Sequence, residues 1–174
     1  MSVLLNASEM RAAEHRAIAS GRVTAAMLME RAGRGVFEAI CAEWPDLVAG
    51  QAKASVLCGP GNNGGDGFVV ARLLAELGWE VDAYFSGDPV KVPEDALSAF
   101  RHWQGATLPL AEYRPCNEDV VVDALFGTGL ARPVSGEFLA ALGAISERPR
   151  TTMLVAVDVL SGFSSDTGHL PAGS

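Results

Sequence analysis

The stretch that most constrains this chain is a glycine-rich segment between a short apolar run and a longer amphipathic one. It reads VLCGPGNNGGDGFVVAR over residues 56–72, with glycine at positions 59, 61, 64, 65 and 67. The apolar run before the glycines is typical of a strand, and the spacing of apolar residues after them is typical of a helix. The segment therefore predicts strand, loop and helix, and the free N–H groups at the helix start suit an anion such as a phosphate.

The rest of the chain predicts further helices and strands in alternation. Helices are expected from Asn6 or Ser8 to Gly21, from Thr24 to the residue before Pro45, and at about 93–103 and 135–146. Strands are expected at 54–57, 80–85, 120–122 and 153–157, and residues 105–117 predict irregular structure. Two helices have apolar faces that should turn inward, made of Leu28, Ala32, Val36, Phe37, Ile40 and Trp44 in one and of Phe138, Leu139, Leu142 and Ile145 in the other.

This alternation predicts an α/β fold with a mainly parallel sheet covered by helices on both faces. Ligands of such sheets bind beyond the carboxyl ends of the strands. Asp66 follows the first expected strand, Asp123 ends the third, and Asp158 follows the fourth. We therefore expect these three carboxylates to lie at one edge of the sheet.

Carboxylates gathered at one edge repel each other unless a cation or main-chain donors offset their charge. Oxygen donors at this edge predict a hard cation, held by Asn63, Asp123, Ser161 and nearby carbonyl groups, with Arg132 facing a phosphate. The alternative is that Asp123 and Asp158 only cap neighbouring turns, which is a frequent role of aspartate at a strand end.

Composition excludes several classes of function. A net charge of −8 and a pI near 4.8 argue against nucleic acid as a partner. No apolar stretch is long enough to span a membrane, and the N-terminus does not resemble a signal peptide. The cysteines, at positions 41, 58 and 116, form no CxxC pair, which fits a reducing compartment. We expect one cytoplasmic domain over residues 1–174.

Two other motifs need to be considered. Residues 59–64 satisfy G-x-G-x-x-G, which in an NAD-dependent oxidoreductase would require an acidic residue at the end of the second strand. Asp88 is the nearest one, but it lies in an SGDP turn beyond that strand. A Walker-type G-K-[ST] and a G-x-S-x-G nucleophile motif are both absent from the sequence.

Four blocks in this order, LMERAG, GPGNNGGDGFVVAR, VVDALFGTGLARPVSG and VAVDVLSGFSSDTG, resemble the NAD(P)H-hydrate epimerases, the family of the YjeF N-terminal domain. They extend over residues 28–168. The resemblance implies a three-layer, Rossmann-like α/β/α domain, often dimeric, that interconverts the R and S forms of hydrated NADH or NADPH with a bound potassium ion. It also implies that bacterial members are frequently fused to an ATP- or ADP-dependent dehydratase.

The resemblance further implies which residues form the site. The potassium ligands fall on Asn63, Asp123 and Ser161, which agrees with the cation donors inferred from the residues alone. Asp158 is expected to contact substrate, and we interpret it as the general acid/base. The remaining substrate-binding residues fall on two segments, Asn62, Asn63, Gly64, Gly65 and Asp66 in the first, and Gly127, Thr128, Gly129, Leu130, Ala131, Arg132 and Pro133 in the second.

The chain departs from the family pattern at three points. Leu160 stands where the family usually has proline, so the turn that carries Ser161 loses a restraint on φ. Ser164 replaces an acidic residue. Members continue beyond the D-T-G block with further strand and helix, so the C-terminal part of the family domain is expected to be missing after Ser174. A non-catalytic interaction or dimerisation module of the same fold is the alternative to an enzyme.

Overall fold

The computed structural model describes residues 5–130, 133–164 and 167–169. Within them, one parallel sheet contains five strands in the order β3-β2-β1-β4-β5. The strands are β1 (Lys53–Cys58), β2 (Glu80–Phe85), β3 (Thr107–Pro109), β4 (Val120–Ala124) and β5 (Met153–Ala156). Every neighbouring pair of strands is parallel, so the predicted α/β fold class is confirmed.

Six α-helices and one short 3-10 helix connect these strands in the described part of the chain. They are α1 (Ala7–Ala19), α2 (Ala25–Glu43), α3 (Pro45–Val48), α4 (Asn62–Glu76), α5 (Glu94–His102), the 3-10 helix Leu110–Glu112, and α6 (Gly136–Ser146). Asn6 caps α1 in a capping box with Glu9, and Thr24 caps α2, so the expected starts of both helices are confirmed. None of these helices is long and apolar enough to cross a membrane.

The sheet has a core on each face. On one face, α2, α4 and α5 cover strand residues such as Val56, Val120 and Val122, which are fully buried. On the other face, α6 and the 3-10 helix cover Leu57 and Val121. Because consecutive strand residues point to opposite faces, the uninterrupted apolar run of β4 supplies both cores. The result is the expected three-layer α/β/α architecture.

Three local predictions were wrong. Residues 107–109 form the edge strand β3 instead of irregular structure; an edge strand of three residues ending in Pro109 carries no periodic pattern to detect. In α2 the buried positions include Met29 and Gly33, whereas Ala32 is exposed, because Gly33 lies where a side chain would collide with Val69. In α6, Leu139 is 55% exposed instead of buried.

Candidate functional site

The first site segment, residues 62–66, lies at the start of α4. We expected a loop over these residues, but the loop comprises only residues 59–61 and the helix begins at Asn62. No side chain caps this helix start, since Gly61 occupies the N-cap position. The main-chain N–H groups of the first turn therefore point outward without a side-chain partner, which is the arrangement that favours an anion.

Glycine allows this helix start to lie directly against the sheet. A Cβ atom on Gly67 would lie 2.5 Å from the Cβ of Ala124, and one on Gly64 would collide with the backbone of Gly59. The Gly59 N–H donates to the carbonyl oxygen of Ala124 at 3.0 Å, which joins the loop to the end of β4. The sequence thus brings the first turn of α4 beside Asp123, the residue that precedes Ala124.

Asp123 and Ser161 form a buried pair at the carboxyl ends of β4 and β5. Asp123 is fully buried and Ser161 is 4% exposed. The Ser161 hydroxyl donates to Asp123 Oδ1 at 2.6 Å, and the Ser161 N–H donates to Oδ2 at 2.8 Å. Burial raises the pKa of Asp123, against the opposing effect of its hydrogen bonds from Ser161 and from the Leu125 N–H. The structure thus brings these two expected cation ligands into direct contact.

The β4–α6 segment closes around this pair. The N–H of Phe126 donates to Ser161 Oγ at 2.8 Å, and the carbonyl oxygen of Phe126 lies 3.0 Å from the same atom. A hydroxyl has only one hydrogen, and the shorter bond goes to the Asp123 carboxylate. The Phe126 carbonyl oxygen thus remains available to coordinate a cation, next to the Asp123 carboxylate and the Ser161 hydroxyl.

Asp158 lies in the turn that follows β5 and is exposed. Its Oδ2 accepts a hydrogen bond from the Thr128 N–H at 2.8 Å. A Cβ atom on Gly127 would collide with the same carboxylate, so glycine is required there for the close approach. The second site segment is consequently anchored to the carboxylate that we expected to perform acid/base chemistry.

Asp66 connects the two segments electrostatically. Burial and, to a smaller extent, the negative charges of Asp158 and of Glu14 in α1 together raise its pKa to about 7. A carboxyl group of this kind carries a proton for part of the time at neutral pH. The expectation that carboxylates gather at one edge is supported by this mutual influence of Asp66 and Asp158.

The other predicted site residues have more ordinary surroundings. Asn62 and Gly129 are exposed, Leu130 donates its N–H to the Gly127 carbonyl in a turn, and Pro133 is exposed. Ala131 and Arg132 lie outside the described residues.

The donor set fits a hard monovalent cation. Within the part of the chain that the structure describes, no cluster of three His, Cys, Asp or Glu side chains could hold a metal ion. A potassium ion instead takes neutral oxygens and few carboxylates, and Asp123, Ser161 and the Phe126 carbonyl offer such a set. The side-chain amide nitrogen of Asn63 is buried and has no hydrogen-bond partner. Rotation of that amide group to exchange its nitrogen and oxygen would place the oxygen at this position as a further ligand.

Sequence reasoning missed one polar contact at the same edge. The hydroxyl of Ser86, just after β2, donates to Oε1 of Glu137 in the first turn of α6 at 2.6 Å. No motif signals this contact, because the two residues are 51 positions apart. Glu30 in α2, by contrast, is partly exposed and forms ion pairs with Arg34 and Arg72.

Comparisons with known proteins show similarity to one family. The family model described as YjeF-related protein N-terminus matches residues 25–173. An NAD(P)H-hydrate epimerase from Rhodobacter capsulatus is 45% identical over 99% of this chain and 83% of that protein, and one from Roseobacter litoralis is 43% identical with the same coverage. A bifunctional NAD(P)H-hydrate repair enzyme Nnr from Coxiella burnetii is 35% identical over 98% of this chain but only 34% of its own length.

A solved structure shows the same fold. The crystal structure of the yeast protein ynu0 superposes with a TM-score of 0.73 at 25% identity, covering 99% of this chain and 76% of the yeast chain. Since the chain spans 83% of each of the two epimerases above, most of the family domain is present in it. The chain belongs to the family of the YjeF-related protein N-terminus.

Proposed function

We propose that this chain is an isomerase that interconverts the R and S forms of hydrated NADH and NADPH. The observation that carries the proposal is the placement of Asp158, whose carboxylate is held by the Thr128 N–H at the edge where Asp66, Asp123 and the uncapped start of α4 also lie. Relatives that are 43–45% identical over 99% of this chain are named NAD(P)H-hydrate epimerases, which supports the same reaction.

The chemistry requires only proton transfer and charge stabilisation. The hydrate bears a hydroxyl group on a ring carbon next to the ring nitrogen, whose lone pair helps to expel that group as water. Asp158 gives a proton to the leaving hydroxyl, and its carboxylate then removes a proton from the water that adds to the other face of the resulting iminium. Each proton that leaves Asp158 is thus returned, and the ring keeps its oxidation state. General acid/base help of this kind contributes ~10²–10⁴ in rate. Ring opening and reclosure is the alternative route to the same inversion.

The chain's own groups suit the two charged parts of the substrate. The N–H groups at the start of α4 would bind the diphosphate. The Thr128 N–H fixes one oxygen of Asp158 and leaves the other to face the hydrated ring. Asn63, Asp123 and Ser161 would hold the potassium ion, together with the Phe126 carbonyl oxygen. When bound, that ion would offset the charge of the Asp123 carboxylate next to the substrate.

The test is a direct assay of epimerisation. Purified protein is incubated with the separated R hydrate of NADH in buffers containing either potassium or lithium, and the S form is measured by chromatography. We expect fast conversion with potassium and slower conversion with lithium. If the protein is folded but the R hydrate converts only at its spontaneous rate in both buffers, the enzymatic function is contradicted and the non-catalytic module is favoured.

The role of Asp158 is tested by Asp158→Asn. The amide oxygen can still accept the Thr128 hydrogen bond, so the loop stays in place while proton transfer is lost. We expect the turnover number to fall by ~10²–10⁴ with little change in substrate affinity. Asp46→Asn, which removes an exposed carboxylate in α3, is the matched control and should retain full activity.

Two associations belong to the same proposal. The first is a homodimer, supported by apolar side chains that are 37–52% exposed in the first two helices, Met10, Ile18 and Met27, and just before them, Leu5. The second is cooperation with a dehydratase, supported by the relatives named as bifunctional repair enzymes. A cytoplasmic location fits the free thiols at positions 41, 58 and 116.

A further inference from the structure

A carboxylate from α6 lies at the carboxyl end of β2. Ser86 immediately follows β2 and is 8% exposed, and its hydroxyl donates to Oε1 of Glu137 at 2.6 Å. Glu137 is itself exposed and belongs to the helix on the opposite face of the sheet from α4. Among the described residues, no basic side chain forms an ion pair with it. Its second carboxylate oxygen is therefore available to a ligand at this edge.

The surroundings fix this carboxylate beside the glycine loop. The Ser86 N–H donates to the carbonyl oxygen of Cys58 at 3.3 Å, and a Cβ atom on Gly87 would lie 3.1 Å from the Cβ of Pro60. The start of α6 is held from the other side by Phe138, whose ring centroid lies 4.8 Å from that of Phe126. The end of β2, the loop before α4 and the carboxylate of Glu137 are thus direct neighbours.

Asp88, the other acidic residue near the end of β2, already has partners for both carboxylate oxygens. Asp88 accepts a hydrogen bond from the Val90 N–H at 3.1 Å, and its second oxygen lies 3.5 Å from the Lys91 ammonium group. These contacts lie within the same turn and engage both carboxylate oxygens of Asp88. Glu137 is therefore the acidic group better placed at this strand end, although it comes from a different element.

The strand order indicates which part of a bound dinucleotide would lie near Glu137. In the order β3-β2-β1-β4-β5, the switch point lies between β1 and β4, where a dinucleotide lies across the carboxyl edge. With Asp158 after β5 at the hydrated ring, the diphosphate falls at the start of α4 and the adenosine half falls over β2. An acidic group at the end of β2 is what such sites use to accept a hydrogen bond from the ribose 2′-hydroxyl.

We propose that Glu137, held by Ser86, accepts a hydrogen bond from the adenosine ribose and makes the site prefer hydrated NADH over hydrated NADPH. This inference rests on the proposed epimerase function and adds the orientation and preference of the substrate. A 2′-phosphate in place of the hydroxyl would both remove the donor and bring a second negative charge against the Glu137 carboxylate. The preference thus combines an attraction for one substrate with a repulsion of the other.

The experiment compares kcat/KM for the two hydrates in wild type, Glu137→Gln and Asp88→Asn. Glutamine keeps the length of the side chain and can still accept the Ser86 hydrogen bond, but it loses the charge. We expect the wild type to favour hydrated NADH, and Glu137→Gln to lower the ratio of the two kcat/KM values about tenfold, mainly through KM. Asp88→Asn should leave the ratio within about twofold of the wild type, as expected for a carboxylate held in its own turn.

Several results would overturn the inference. These are an unchanged ratio in Glu137→Gln, a wild-type preference for hydrated NADPH, or a ratio that changes with Asp88 instead. Ser86→Ala provides a second variant, because it keeps the charge and removes only the anchor; we expect a drop in the ratio of about threefold. Thermal unfolding of each variant confirms that it is folded.

A binding measurement separates this inference from the proposed function. ADP-ribose and its 2′-phosphorylated form are titrated calorimetrically into wild type and Glu137→Gln, with no turnover required. Tighter binding of ADP-ribose to the wild type, with the gap reduced about tenfold in the variant, supports the role of Glu137 even if neither hydrate is epimerised. Equal affinities of the wild type for the two probes would overturn it even in an active enzyme.

Discussion

Two neighbouring corners of the sheet's carboxyl edge are built in opposite ways. The β1–α4 corner, residues 59–67, is packed through glycines whose missing side chains let backbone and helix meet. The β4–β5 corner, residues 123–128 and 157–162, is held by hydrogen bonds among Asp123, Phe126, Ser161, Thr128 and Asp158. The first corner therefore depends on close packing at glycine positions, and the second depends on hydrogen bonds between its polar groups.

This contrast teaches that glycine richness has two different causes in one site. Gly64 and Gly67 are needed because the space for a Cβ atom is already filled by protein. Gly127 is needed because a carboxylate lies against it, and Gly129 has open space around it. Substitutions at the two corners should therefore fail in different ways, by overpacking at one and by leaving buried polar groups unpaired at the other.

The largest effect on stability is expected from Gly67→Ala. Its Cβ atom would lie 2.5 Å from Ala124 Cβ and 2.9 Å from Cys58 Sγ, both in the core. Overpacking should lower the free energy of unfolding by about 3 kcal/mol, in spite of the better helix propensity of alanine. Urea denaturation measures the loss.

The matched control is Gly35→Ala, in the interior of α2 with no atom within 4 Å of its Cβ position. There the same change should raise the free energy of unfolding by about 0.5–1 kcal/mol. If both variants lost stability equally, the β1–α4 corner would owe nothing to close packing, and the contrast between the corners would fail.

The second prediction concerns Ser161→Ala in the β4–β5 corner. The change removes the buried hydroxyl bond to Asp123 and leaves the partly buried Phe126 N–H without its acceptor. We expect a loss of about 2 kcal/mol in the free energy of unfolding. We also expect a higher potassium concentration for half-maximal activity, a readout that a purely structural role would not change.

Ser146→Ala is the control for this second prediction. Its hydroxyl donates to the Gly143 carbonyl on an exposed part of α6, and its loss should cost only a few tenths of a kcal/mol. A Ser161 variant as stable as this control, with an unchanged potassium requirement, would show that the buried pair neither supports the corner nor holds the ion.

The sequence was sufficient for most of the fold. The extent of β2 and the parallel pairing of the strands follow from apolar runs that are bounded by glycine or turn residues and alternate with helices, and the structure confirms both. The face of α2 was misjudged because hydrophobicity counts Ala32 as apolar and ignores Gly33, whose lack of a side chain is what lets α4 approach. The periodicity of apolar residues does not detect positions where glycine allows two helices to pack closely.

The candidate site divides in the same manner. Asp123 and Ser161 were expected together because each ends or follows a strand of one parallel sheet, and such ends share an edge. The start of α4 at Asn62 was not expected, since a run of glycines normally predicts a loop. Glu137 gave no signal, because it reaches Ser86 from another layer of the fold.

The smallest effect is expected at Asp66, which belongs to the β1–α4 corner but faces the carboxylate of the other corner. Folding raises the pKa of this carboxyl from its ordinary value to about 7, through burial and through the charges of Asp158 and Glu14. The folded state therefore binds the proton more tightly than the unfolded state. Its contribution to stability is present at low pH and is lost as the pH rises from about 4 through about 7.

Asp66→Asn removes this titration. Between pH 5 and pH 8, the free energy of unfolding of the wild type should decline by about 1–2 kcal/mol more than that of the variant. Urea denaturation of both proteins at four pH values measures the difference, and Asp46→Asn, at an exposed position of α3, should follow the wild type. Parallel curves for wild type and Asp66→Asn would mean that folding does not raise the pKa of this carboxyl. Because burial is the main cause of the raised pKa, the difference should shrink in the Asp158→Asn background without disappearing. A difference of unchanged size there would mean that the two corners do not interact through charge.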